Sequence, residues 1–165
     1  MVSRDELAKE YDKLKLKYDL PEFDELNKEF EIFNAFLTYD NVPDFILRTI
    51  RRRMVDKFYS WINYLHNFIY ANQQSLILMN EFQQFSEQEK QKIIMIINKI
   101  MFINRLSVKL EIDNNEEADA HFVKKYFIEW ADLKRELVEI TNKNIQGWQE
   151  AMKKKEQKTQ EFFSF

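Results

Sequence analysis

The sequence is short of the residues that several kinds of functional site require. Its 165 residues include no cysteine, one glycine and two prolines. The absence of cysteine excludes disulfide frameworks, thiolate metal sites and thiol nucleophiles. A single glycine excludes a glycine-rich phosphate loop, because the backbone of such a loop approaches phosphate where a Cβ would obstruct it. These exclusions leave a folded, largely helical domain as the expectation.

What the chain does contain favours folding. Hydrophobic residues make up 45%, aromatic residues 15% and charged residues 32%, so the composition is not that of a disordered chain. Residues with AT-rich codons (Phe, Tyr, Met, Ile, Asn and Lys) greatly outnumber Gly, Ala, Arg and Pro, which indicates an AT-rich genome. Lysine and isoleucine runs therefore carry little functional information, whereas the seven arginines carry more.

Several helix starts can be recognised from their capping residues. Ser3 and Ser86 are each followed three residues later by glutamate, the pattern of a capping box. An asparagine cap followed by acidic residues is expected at 114–117. Pro21 and Pro43 are expected in first turns, where proline is tolerated.

Between these starts the apolar spacing is helical. Residues from Ile46 to Phe68 recur three or four apart, as one face of a long helix requires, and the segments after Ser86 and Asn115 repeat this pattern. A short helix is expected near 73–82. Gly147 lies inside the last helical segment, where we expect a kink or a break.

The predicted fold is an all-α antiparallel helical bundle of about three long helices with two or three short ones. Residues 1–165 are expected to form a single domain, with an acidic N-terminal helical arm at 1–40 and a charged, frayed tail at 153–165. The uncharged stretch 58–80 contains many Asn and Gln residues, which favours a buried central helix over a membrane span. With no signal peptide recognised, a cytoplasmic protein without membrane contact is predicted.

No catalytic motif is present. The two histidines are His66 and His121, and neither belongs to the Glu-x-x-His pairs of a di-iron site. Glu117 and His121 share a helix face and could supply two metal ligands, but a third ligand cannot be named and surface pairing is the preferred interpretation. We therefore predict no enzyme activity, no cofactor and no metal.

Arginines cluster at one place in the third helical segment. Three of them recur three and four residues apart and so share one side of a helix, and the candidate binding patch is Arg48, Arg51, Arg52, Arg53 and Lys57. Guanidinium groups bind phosphate or carboxylate bidentately, so nucleic acid or an acidic partner is one interpretation. The preferred alternative is internal pairing with the acids of the N-terminal arm, Glu22, Asp24, Glu25, Glu29 and Glu31. The pI near 5.6 also argues against a nucleic-acid binder.

Aromatic residues are dense just after the arginines, with six between positions 58 and 70. They cover more than one helix face, so core packing on two sides explains most of them. The rest would form an exposed patch typical of protein interfaces. The candidate interface aromatics are Tyr59, Tyr64 and Tyr70.

Several strings in the chain, at 20–32, 47–54, 85–90 and 129–134, resemble an archaeal all-helical protein family of unknown function. The resemblance extends through about Trp148. It implies an all-helical fold and a cytoplasmic location, and it implies no activity, cofactor or site.

Together these features predict a non-catalytic helical binding protein whose partner is another protein or a second copy of itself. The alternative is a nucleic-acid-associated helical protein that uses the arginine cluster at 48–53.

Overall fold

The computed structural model describes the backbone of residues 1–162 and the side chains of residues 1–154. The described backbone is helical with no strand, which confirms the all-α prediction. The helices are α1 (Arg4–Tyr18), α2 (Phe23–Phe30), a 3₁₀ turn (Ile32–Phe36), α3 (Ile46–Tyr59), α4 (Ile62–Ile69), α5 (Leu76–Gln83), α6 (Glu87–Asp113) and α7 (Glu116–Phe162).

The predicted serine and asparagine caps are present, whereas Pro21 and Pro43 lie before the first turns of α2 and α3, so their predicted placement in those turns is wrong. Ser3 and Glu6 form a complete capping box at the start of α1. Ser86 and Glu89 form the same reciprocal contacts at the start of α6. Asn115 accepts a hydrogen bond from the Ala118 amide at the start of α7, with a distance of 3.0 Å. These side chains satisfy amide groups that the first turn of a helix leaves without partners.

The first of the three predicted long helices is divided in two. α3 ends at Tyr59 and α4 begins at Ile62, so the prediction of one continuous helix over this segment is wrong. The Ser60 hydroxyl donates to the Lys57 carbonyl at 2.8 Å, and the Trp61 amide donates to the Phe58 carbonyl at 3.3 Å. These i to i−3 contacts tighten the last turn and compete with regular α-helical hydrogen bonds.

The last helix is continuous where a kink or a break was expected. α7 is 47 residues long and passes through Gly147 without interruption, so the expected break is absent. A Cβ on Gly147 would lie 2.7 Å from Oε1 and 2.8 Å from Cγ of Gln84. The glycine therefore makes room for a neighbouring side chain. The predicted tail at 153–165 continues this helix to Phe162, and its side chains from 155 onwards lie outside the described residues.

The chain divides into two compact units. The first unit comprises Met1–Ile62 and Ile97–Ala131. Its core is rich in aromatic rings: Phe58 lies 5.4 Å from Trp130 and 5.8 Å from Phe30, measured between ring centroids. The indole of Trp130 donates to Glu29 at 2.7 Å, so the predicted acidic arm packs into this unit.

The second unit comprises Asn63–Ile96 and Asp132–Phe165. In its described part, Phe68 lies 4.6 Å from Phe85 and 4.8 Å from Tyr64 between ring centroids. The buried Asn144 on α7 donates to Gln84 at 2.9 Å. α5 is thereby attached to α7 through polar contacts.

Within the described residues, none of the helices has an apolar stretch long enough to cross a bilayer.

Candidate interaction surfaces

The arginine cluster lies on α3 in the first unit, and Arg51 is its most deeply buried member. The Arg51 side chain is inaccessible to solvent. Its Nε donates to Asp119 at 2.6 Å, and its Nη2 donates to Glu111 at 2.9 Å. Its Nη1 donates to both the carbonyl and the hydroxyl of Ser107. All three guanidinium nitrogens are therefore engaged by α6 and α7 residues.

The two carboxylates that hold Arg51 differ in environment. Asp119 is buried, and burial raises its pKa even though Arg51 and Arg48 act in the opposite direction. Glu111 reaches the surface and also accepts both an Nε and an Nη2 contact from Arg52. The Arg52 hydrogen bond, with a smaller contribution from Arg51, holds the pKa of Glu111 at about 2.

The remaining members of the candidate binding patch are only partly accessible to a binding partner. Arg53 donates to the Phe30 carbonyl and to Glu31, each at 3.0 Å. Arg48 is half-buried, and its buried Nε has no hydrogen-bond partner in the described part of the chain. Lys57 is half-buried near the end of α3.

Internal pairing with the N-terminal acids is correct for Arg53, which contacts Glu31, and wrong for Arg51 and Arg52. Sequence reasoning missed Asp119, although a signal existed. Asp119 occupies an apolar position of α7, four residues before the buried Val123. A carboxylate at such a position requires a buried partner.

The candidate interface tyrosines are divided between the two units. Tyr59 belongs to the first unit and is exposed. Tyr64 and Tyr70 belong to the second unit. Tyr64 is half-buried against Phe68, whereas Tyr70 is exposed and packs edge-on against His66.

A more extensive apolar surface lies on α5, and sequence reasoning did not single it out. α5 contains four consecutive large apolar residues, yet none of its residues is buried. Leu76 is 89% exposed and Ile77 is 62% exposed. Leu76 and Ile77, together with the exposed Tyr70 six residues before Leu76 in the chain, are called the α5 surface below.

A second apolar feature runs along α7 in the same unit. Val138, Ile145 and Met152 are seven residues apart and each is about half exposed. Between them lie the half-buried Thr141 and Trp148. The Thr141 hydroxyl donates to the Leu137 carbonyl and the Trp148 indole donates to Glu81, so both polar groups are satisfied. We call these five residues the α7 seam.

Glu117 and His121 are both exposed and line an open groove of about 420 Å³ in the first unit, with Leu110 and Phe122 on its apolar floor. Among the described residues, no group of three or more His, Asp or Glu side chains is placed to hold a metal ion.

Comparisons of the chain with protein-family models, with curated protein sequences and with solved structures gave no match. The resemblance to an archaeal family stays a prediction.

Proposed function

We propose that this protein acts by binding a protein partner, either another protein or a second copy of itself, through the α5 surface, without a catalytic centre, on an antiparallel helical scaffold. The observation that carries the proposal is the exposure of α5. Fully burying a leucine or isoleucine side chain is worth about 1.5–3 kcal/mol. Leu76 and Ile77 obtain little of this within the chain, and a partner that covers them supplies it.

The chemistry around the α5 surface favours a protein over other partners. No Asp, Glu, Lys or Arg occurs between Phe58 and Asn80. Nucleic acids and anionic membranes are attracted by lysine and arginine, which this stretch lacks. Protein interfaces, by contrast, are depleted of charge in their centres and enriched in tyrosine.

The arginine cluster gives less support to the nucleic-acid alternative. Arg51 is buried, and Arg52 and Arg53 each contact a carboxylate. Phosphate binding would have to replace these contacts, so the alternative stays a prediction from sequence.

The proposal is tested by the double variant Leu76→Asp/Ile77→Asp. Acidic residues are tolerated in the first turn of a helix, so α5 should remain folded. Proteins captured by the wild-type chain and identified by mass spectrometry should be lost with this variant. Leu16→Asp, which changes an equally exposed leucine on α1, should retain them. An identical set of captured proteins for all three chains would contradict the proposal.

A further inference from the structure

The α7 seam has the sequence pattern of a helix that pairs with another helix. Val138, Ile145 and Met152 repeat every seven residues, and Thr141 and Trp148 follow the first two by three residues. This is the alternation of a and d positions in a coiled coil. The described part of the seam extends over about 20 Å, at 1.5 Å per residue.

The flanks of the seam place little charge against a second identical seam. Asn142 and Gln149 lie on one side. On the other side are Ala151 and Asn144, which is buried and contacts Gln84 of its own unit. All four residues are uncharged. Two cations lie at the N-terminal end of the seam, Lys134 in line with its repeat and Arg135 beside it, and Arg135 is paired with Asp132. Two copies of the seam can therefore meet without like-charge repulsion along its centre.

The seam continues towards the α5 surface. Gln84 contacts Asn144 and Glu81 contacts Trp148, so α5 and α7 run in opposite directions. One further turn takes α5 to Ile77 and α7 to Met152. A stable interface buries about 800 Å² on each partner, more than a short seam provides, and the α5 surface extends the available apolar area.

We infer that the α7 seam and the adjoining α5 surface bind the same surfaces of a second copy of this chain. This inference rests on the proposed function, because it takes protein binding as the activity. It adds that the partner is a second copy of the same chain. A partner helix with a matching seven-residue repeat is what the seam fits, and α7 of a second copy supplies one. Because the same patch is used on both copies, the assembly is a two-fold symmetric dimer.

The test is light scattering and analytical ultracentrifugation of the full chain over a wide range of concentrations. The wild-type chain should show a monomer–dimer equilibrium that changes little with salt. Ile145→Glu and Met152→Glu should each weaken dimerisation on the order of 100-fold or more, since each substitution enters the interface twice. Ile128→Glu changes an exposed isoleucine of the same helix outside the seam, and it should leave dimerisation unchanged.

Cross-linking gives a second readout, because the native chain has no cysteine. Ile145→Cys should form a disulfide-linked dimer under mild oxidation, and Ile128→Cys should not. Circular dichroism establishes that each variant is folded. A wild-type chain that remains monomeric at every concentration would overturn the inference. Capture of another protein that depends on Leu76 and Ile77 would, in that case, leave the proposed function standing.

Discussion

Arg51 has no contact with solvent, and its charge is balanced by the buried Asp119 and by Glu111 at the surface. Charged groups lose several kcal/mol of hydration when they are buried, and the ion pair and the Ser107 contacts offset that loss. Such a pair adds little net stability compared with apolar residues of the same size. Removing one partner is strongly destabilising, because the other charge then stays buried without an opposite charge.

Asp119→Ala should therefore lower the free energy of unfolding by about 3–5 kcal/mol, because it leaves Arg51 buried without its closest carboxylate. Urea denaturation followed by circular dichroism measures the effect. Replacing both partners, as Arg51→Met/Asp119→Leu, should recover most of the loss. Asp24→Ala removes an exposed partner of Arg4 and should cost about 0–1 kcal/mol. Equal losses for Asp119→Ala and Asp24→Ala would contradict this account.

Glu111 gives the stability a pH dependence of defined sign. Its pKa of about 2 lies below its ordinary value of 4.5, so the folded state favours the ionised form. The stability that it contributes is present above pH 4.5 and is lost as the pH falls towards 2. Asp119, whose pKa is raised, acts in the opposite sense. Comparing the wild-type chain with Glu111→Gln removes most of the contribution of Asp119, because the charge of Glu111 is the smallest of the causes that shift the Asp119 pKa.

The free energies of unfolding of wild type and Glu111→Gln should thus differ above pH 4.5 and converge in acid. Urea denaturation at several pH values measures both curves. Glu136→Gln, which changes an exposed carboxylate on α7, gives the general effect of removing a surface acid. A difference that remains constant throughout the acid range would rule out the assigned role of Glu111.

Helix starts that depend on capping residues follow from the local sequence. Features that depend on a residue distant in sequence do not. The capping boxes at Ser3 and Ser86 are encoded within four residues, so sequence alone predicts them. At the division between α3 and α4, Ser60 and Trp61 make i to i−3 contacts. The glycine at position 147 of α7 leaves room for Gln84, which is distant in sequence. Helix propensity at position 147 does not include this contact.

Gly147→Ala tests this dependence on Gln84. Alanine favours a helix interior by about 1 kcal/mol over glycine, but its Cβ would collide with the Gln84 side chain. In the wild-type background the substitution should therefore gain less than this amount or lose stability. In a Gln84→Ala background it should gain about 1 kcal/mol. Thermal and urea denaturation of the four proteins measure the coupling, and equal gains in the two backgrounds would contradict it.

At the scale of the whole molecule, sequence reasoning reached the helical class but not the division into two units. The boundaries of the units lie inside α4, α6 and α7, where no proline, glycine or linker signals them. The partners of Arg51 are also invisible to local patterns, because Ser107 and Asp119 are 56 and 68 residues away. The exposure of α5 depends on which surfaces the rest of the chain covers. Its apolar sequence would equally suit a core helix.

The buried Arg51 also determines how α3 can align with its neighbours in the first unit. A slip of α3 by one helical turn would place Leu47 or Val55 opposite Asp119. Both residues are apolar and would satisfy a contact governed by hydrophobicity alone, yet Asp119 would then be buried without a cation. A shifted α3 could bury a similar apolar area, but it would separate Arg51 from Asp119. The ion pair therefore favours a single register of α3 against α6 and α7.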